Sequence, residues 1–266
     1  MKRLIGYLTM ALLAVTLIVP VSPASAAEDA LDKIISTKTF NIGVIPGIST
    51  KLDPNTDKWS GFIPDSLKWV CSQIKVKCKF HKTHWSTFAA GLQSRQFELS
   101  AASTFTTPQR AAAVSFLPTL YYLGNGVTTL KKNEGRFKTL GDINKSDVTI
   151  STGQGTSQHR WALDVFPKAK LITTKAITET RLLDLLAGKT DVALRDSGQS
   201  HRFAAAHPNV VNIFAKKPPG MTPIAWSTRF EDIKLKSFMT QMVKVLISSG
   251  RFERLMVQYK IPSGSY

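Results

Sequence analysis

The sequence predicts an α/β protein of two doubly wound lobes in series, joined by a hinge that the chain crosses twice. Three observations carry that prediction. Short β-rich runs alternate with amphipathic helical stretches from Phe40 onward. The alternation begins afresh near Val148, after a β-rich segment at 126–131. And 266 residues, 43% of them hydrophobic, supply the core for one large or two modest domains. The same composition excludes a disordered, collagen-like or disulfide-dense chain, and no repeat of solenoid length is present.

In the first lobe Phe40, Ile42 and Val44 alternate as in a strand, 63–74 reads as a helix and 76–80 as a second strand. Residues 87–95 are helical and 97–102 form a third strand. A short helix is expected at Thr107-Pro108, with Thr107 as N-cap and Pro108 at the first helical position. In the second lobe 148–151 is a strand, 157–166 a helix and 170–173 a strand. A helix over 177–187 stops at Gly188, and 191–195 is a strand followed by a helix and a strand at 210–214. Residues 224–227 read as the return to the first lobe, before amphipathic helices at 238–249 and 252–259. The expected boundaries are 27–124 with 226–266 for lobe 1, and 125–225 for lobe 2. Ligands of such sheets bind beyond the carboxyl ends of the strands, here between the lobes.

The N-terminus follows another pattern. Lys2 and Arg3 precede an apolar run over 4–19, then Pro20 and Ala24-Ser25-Ala26. That is a basic region, an apolar region and an A-x-A site, so a secretory leader cut after Ala26 is expected. A membrane anchor is the alternative, but the run is short for a span and contains Gly6, Tyr7, Thr9 and Thr16. No cysteine follows the cleavage site, which argues against a lipoprotein.

Export makes a disulfide the expected state of Cys71 and Cys78, the two cysteines of the chain. Seven residues of continuous helix rise about 10 Å, whereas bridged Cα atoms lie within about 7 Å. The chain must therefore turn between them, from a helix end near Cys71 to a strand start near Cys78. His81 and His84 make a zinc site the competing reading. Against it, Cys78 and His81 are three apart in an expected strand and so face opposite sides.

The net charge of +17 invites a nucleic-acid reading, yet the basic residues are scattered, with no block longer than Lys131-Lys132 or Lys216-Lys217. A solvated basic surface explains them better. Catalytic signatures are also missing: there is no G-x-S-x-G, H-E-x-x-H or P-loop sequence. Gly153-Gln154-Gly155 lacks the third glycine of a dinucleotide fingerprint. Gly155-Thr156-Ser157, between a strand and a helix, reads either as an anion cradle of backbone N–H groups or as ordinary capping. Arg110 falls in the first turn of its short helix, where a cation opposes the helix dipole unless an anion is bound there. Asp196, at a strand end before Ser197-Gly198, is either a helix cap or a counter-ion for a ligand ammonium.

An ordered set of segments now makes a resemblance specific. It comprises Gly61-Phe62-Ile63-Pro64-Asp65, Trp85, Leu92-Gln93-Ser94, Thr106-Thr107-Pro108-Gln109-Arg110, Gly155-Thr156-Ser157, Leu186 through Ala193, and Asp196. With the spaced cysteine pair, these resemble the family 3 extracellular solute-binding proteins, the polar amino-acid receptors of ABC importers, over essentially the whole exported chain. The resemblance implies a type II periplasmic-binding-protein fold and a periplasmic location. It also implies a monomer whose partners are a small-molecule ligand and a membrane ABC permease, with no nucleic acid, cofactor or metal. It assigns the ligand α-carboxylate to Arg110, helped by backbone N–H groups near Phe105 and Ser157. It assigns the α-ammonium to Asp196, with a carbonyl near Ser103. Closure of the lobes would then trap the ligand without chemistry.

Departures from the family pattern matter as much. Ile45 and Ile63 stand where the family often has acids, and Phe105 replaces a threonine. The expected pocket is therefore more apolar, around Ile45, Phe105, Thr156, Trp59, Trp85 and Tyr121, and its ligand is not lysine, arginine or histidine. Two other classes compete with a receptor. One is a periplasmic enzyme of the cyclohexadienyl-dehydratase type, which needs a general acid such as Asp196, Glu179 or Asp53. The other is a partner of an exported enzyme or sensor.

Overall fold

The computed structural model describes residues 28–174 and 180–261. The expected leader lies outside the described residues, as do Glu179 and the start of the helix expected from Ile177. No helix among the described residues is long and apolar enough to cross a membrane.

Lobe 1 opens with α1 (Ala30–Thr37) and continues through β1 (Thr39–Val44), β2 (Lys51–Leu52), β3 (Trp59–Ser60) and α2 (Phe62–Gln73). Next come β4 (Lys77–Lys82), α3 (Phe88–Gln93), β5 (Leu99–Phe105), α4 (Pro108–Ala111), β6 (Ser115–Phe116) and β7 (Tyr121–Leu123). Lobe 2 holds β8 (Asn125–Leu130), α5 (Leu140–Ile143), β9 (Thr149–Gly153), α6 (Ser157–Val165) and β10 (Lys170–Thr174). It continues with α7 (Thr180–Leu186), β11 (Val192–Asp196), α8 (Ser197–Ala206) and β12 (Val210–Asn212). The chain then returns through β13 (Thr222–Thr228) and ends in α9 (Ile233–Ser248) and α10 (Arg251–Gln258).

The first sheet runs β4-β1-β5-β13-β6, with β7 also on β13, and the second runs β10-β9-β11-β8-β12. Pairings at the heart of each sheet are parallel: β1 with β4 and β5, and β9 with β10 and β11. Each sheet is covered on both faces, as strand periodicity requires. In β11, Val192 and Leu194 join the core beneath α5 and α6, whereas Ala193 points to the opposite core with Leu182, Leu185 and Phe203. In β1, Phe40, Ile42 and Val44 face the large core of α1, α2, α9 and α10. Gly43 faces the other way, against Phe97, where an added Cβ would sit 2.6 Å from the ring. The buried positions of α9, Leu235, Met239, Val243 and Leu246, keep the spacing of one helix face.

Two crossings join the lobes, and they lie side by side. Leu123 of β7 pairs with Thr222 of β13 in antiparallel register. Just beyond, Ser197 N–H donates to the Gly124 carbonyl at 2.8 Å, and Asn125 N–H donates to the Pro219 carbonyl at 2.8 Å.

The expected disulfide is present between Cys71 and Cys78, with Cα atoms 5.9 Å apart. α2 ends at Gln73, Lys75 takes a left-handed φ of 53°, and β4 starts at Lys77, which is the turn that the spacing demanded. With both thiols bridged, neither is a metal ligand, and His81 Nε2 lies 2.9 Å from Asn41 Oδ1. Among the described residues, no group of three or more His, Cys, Asp or Glu is placed to hold a metal ion.

Candidate functional site

The cleft is built from strand ends. The carboxyl ends of β1 and β5 face those of β9 and β11, each followed by a loop or helix start. A cavity of about 400 Å³ between them is lined by Trp85, Ser103, Phe105 and Arg110 from lobe 1, and by Thr156, Ser157, Gln158, Arg181, Arg195, Asp196 and Gln199 from lobe 2. A second space of about 450 Å³ adjoins it, sharing Trp85, Ser103, Arg181, Arg195 and Gln199 and adding Ile45, Ile48 and Ile63. Both volumes are in the range of small-molecule sites.

Arg110 occupies the place that local sequence prescribes. Thr107 caps α4, its Oγ1 accepting the Arg110 N–H at 3.4 Å, and Pro108 opens the helix. The guanidinium donates to the Phe105 carbonyl at 3.2 Å and, across the cleft, to the Gly155 carbonyl at 3.3 Å. It also lies 5.2 Å from the Trp85 ring centre and 5.4 Å from that of Phe88. Burial pushes its pKa down to about 10, so the group stays charged at neutral pH while bearing a desolvation cost.

The opposing loop is equally tight. Gly155 has φ +75°, and a Cβ there would meet the Ser86 backbone at 3.0 Å, so the lobes touch at a position only glycine fits. Thr156 is the N-cap of α6: its Oγ1 accepts the His159 N–H at 3.1 Å, and Ser157 is the first helical residue. Capping is therefore what Thr156 does, and the Ser157 N–H lies in the first turn, which lacks intrahelical acceptors.

Asp196 also proves to be a cap, of α8. Its Oδ1 accepts the Gln199 N–H at 2.8 Å, and its Oδ2 accepts Gln199 Nε2. A carboxylate offers about four lone-pair directions, so capping leaves room for a cation as well. Burial raises its pKa, opposed by the Gln199 N–H and by the charges of Arg195 and Arg181.

Ser103 backs the cavity through a hydroxyl chain, with Oγ 3.0 Å from Ser49 Oγ and 2.6 Å from Tyr121 Oη. The structure thus brings together Arg110, Asp196, Ser103, Phe105, Thr156, Ser157, Ile45 and Trp85. It does not bring Trp59 or Tyr121 to the wall of either cavity. Trp59 lies in the β2–β3 hairpin and packs on the lobe 1 core. Tyr121 is buried behind Ser103, edge-on to Phe62. Sequence reasoning missed Arg181, Arg195 and Gln199. The available signal was the position of Arg195 at the carboxyl end of β11. Arg181 carried none, because it reads as one more basic residue on a helix.

The comparisons with known proteins agree with this geometry. The model of the bacterial extracellular solute-binding proteins, family 3, matches residues 45–261. The chain belongs to that family. Among relatives of this family 3 protein is a probable amino-acid ABC transporter-binding protein of Haemophilus influenzae, 24% identical, covering 90% of this chain and 91% of the relative. Another is the cyclohexadienyl dehydratase of Pseudomonas aeruginosa, 21% identical, covering 99% of this chain and 98% of the relative. Of solved structures, an ancestral amino-acid-binding protein described as a precursor of cyclohexadienyl dehydratase superposes with a TM-score of 0.80. It is 24% identical and covers 87% of this chain and 99% of its own. The fold is the two-lobed type II architecture of these amino-acid-binding proteins.

Proposed function

We propose that the protein is an exported receptor that closes its lobes on an amino acid or a related small carboxylate and presents it to a membrane ABC importer. One observation carries this reading: Arg110 from lobe 1 and Asp196 from lobe 2 line the same cavity. A zwitterion would place its carboxylate on Arg110 and the Ser157 N–H, and its ammonium on Asp196. Closure strengthens both pairs by removing water around them. The leader is proposed to be cut after Ala26, which N-terminal sequencing of the exported protein checks.

A thermal-shift screen of the exported protein against amino acids, opines and small organic acids tests the receptor reading. A true ligand at about a hundred times its Kd should stabilise by about 2.7 kcal/mol. If no small solute shifts the melting temperature and the protein instead co-purifies with a protein partner, the reading is wrong.

The dehydratase relative favours a second reading, an enzyme on the same scaffold. Asp196 is the one acid among the residues lining the first cavity, and Asp53, whose Oδ1 accepts the Asn55 N–H, lines neither cavity. Turnover of a cyclohexadienyl substrate by the wild type, abolished in Asp196→Asn, would replace the receptor reading with the enzyme.

A further inference from the structure

A zwitterion leaves the cleft electrically unfinished. The first cavity is lined by three arginines, Arg110, Arg181 and Arg195, against one carboxylate, Asp196. A zwitterion adds no net charge, so two guanidinium charges would remain in excess when water is expelled. Desolvated charge is costly unless it is met by opposite charge with hydrogen bonds.

The two extra arginines are placed rather than incidental. Arg181 is only 5% exposed, in the first turn of α7, and its Nη1 donates to the Leu194 carbonyl at 3.3 Å. Arg195 extends from the carboxyl end of β11, where Gln199 Oε1 accepts from its Nη2 while Gln199 Nε2 donates to Asp196. Both also line the second space, whose other walls include Ile45, Ile48 and Ile63 and no acidic side chain. That space suits an apolar spacer ending in an anion, and it offers no carboxylate to a cationic side chain.

We propose that the ligand carries a second acidic group, held by Arg181 and Arg195 beyond an apolar spacer lined by Ile45 and Ile63. The chemical class is a small diacid: an acidic amino acid, or a dicarboxylate without the amine. The inference rests on the receptor reading and sharpens it. Arg110 takes one carboxylate, Arg181 and Arg195 take the other, and Asp196 takes an ammonium where there is one.

The test uses protein expressed with its own leader, purified from the exported fraction and refolded to remove carried-over solute. L-glutamate, L-aspartate, L-2-aminoadipate and glutarate are titrated by calorimetry beside L-glutamine, L-norvaline and L-lysine. The expected result is that the best diacid binds at least about tenfold more tightly than the matching amide or apolar amino acid. Arg195→Gln should shrink that ratio by about tenfold, and Arg195→Lys should restore part of it. The ratio is read because loss of fold alone would not move it selectively. Arg181→Gln is the second variant, informative if its melting transition remains cooperative. Preference for glutarate over every amino acid would support the second-anion site and overturn the amino-acid form of the receptor reading. Equal or tighter binding of L-glutamine, L-norvaline or L-lysine would overturn the diacid inference and leave the receptor reading standing. Binding of none of the seven would overturn both.

Discussion

The two walls of the cleft differ in kind. The lobe 1 wall is continuous with packed core: Ile45, Ile63 and Phe105 line the cavities and are at the same time buried members of hydrophobic clusters. Its one cation, Arg110, is held by a carbonyl and two aromatic rings. The lobe 2 wall is polar, with Arg181, Arg195, Asp196, Gln199, Thr156 and Ser157 at strand ends and helix starts. Shape on one side thus meets charge on the other, and only closure completes a site for a molecule that has both. This division also places the stability cost of recognition. Apolar residues of lobe 1 serve folding and binding together, whereas the charged groups of lobe 2 are desolvated for binding.

Removing the cation from the apolar wall should have the largest effect. Arg110→Ala leaves a ligand carboxylate poorly paired in the closed cleft and should cost about 2–5 kcal/mol of binding, roughly 30- to several-thousand-fold. Arg110→Lys should recover part, since a point charge cannot reproduce the bidentate fork. Calorimetry on variants with checked melting temperatures decides it. Near-wild-type affinity in a folded Arg110→Ala protein would end the carboxylate-clamp reading.

Next in size is the Cys71–Cys78 bridge, which belongs to lobe 1 alone. Reduction should destabilise the protein by about 2–3 kcal/mol through restored freedom of the unfolded chain. Ligand affinity should change little, because the bridge joins α2 to β4 behind the core and lines neither cavity. Denaturant melts with and without reductant measure the first effect, and titration of the reduced protein the second.

The polar wall should answer to pH. Burial raises the Asp196 pKa, so an ammonium held there loses its partner as the pH falls through that raised value. Affinity for an amino acid should therefore start to weaken at a higher pH than an ordinary carboxylate would allow. Asp196→Asn keeps a capping side chain, removes this dependence and should lower affinity by about 1.5–3 kcal/mol, the range for a charged hydrogen bond. Binding that is flat with pH in the wild type would separate Asp196 from the ammonium.

The apolar wall was much easier to read from sequence than the polar one. Strand and helix periodicity located β1, α2, β5 and β11 to within a few residues, because buried faces repeat with fixed spacing. Thr107-Pro108 announced α4 and so positioned Arg110. What escaped notice has physical reasons. α1 is only eight residues long, capped by Asp29, whose Oδ1 accepts the Leu31 N–H. The β2–β3 hairpin has two-residue strands, too short for alternation to register. Arg181 and Arg195 lie in a chain with 35 lysines and arginines, and nothing local distinguishes an arginine facing a cleft from one facing water. Trp59 and Tyr121 failed in the opposite direction, as large aromatics that fill core.

Tyr121 offers the finest test of how far the lobe 1 wall extends. Its hydroxyl lies 2.6 Å from Ser103 Oγ, and Ser103 in turn faces both cavities. Tyr121→Phe keeps the ring against Phe62 and removes one end of the Ser49–Ser103–Tyr121 chain. The expected cost is about 0.5–1.5 kcal/mol of folding stability, the worth of one hydrogen bond. Binding should change by less than about threefold, since the ring reaches no ligand and Ser103 keeps Ser49 as a partner. A tenfold loss of affinity with unchanged stability would mean that the hydroxyl chain, rather than Ser103 alone, forms the floor of the site, and the apolar wall would then be thinner than its packing indicates.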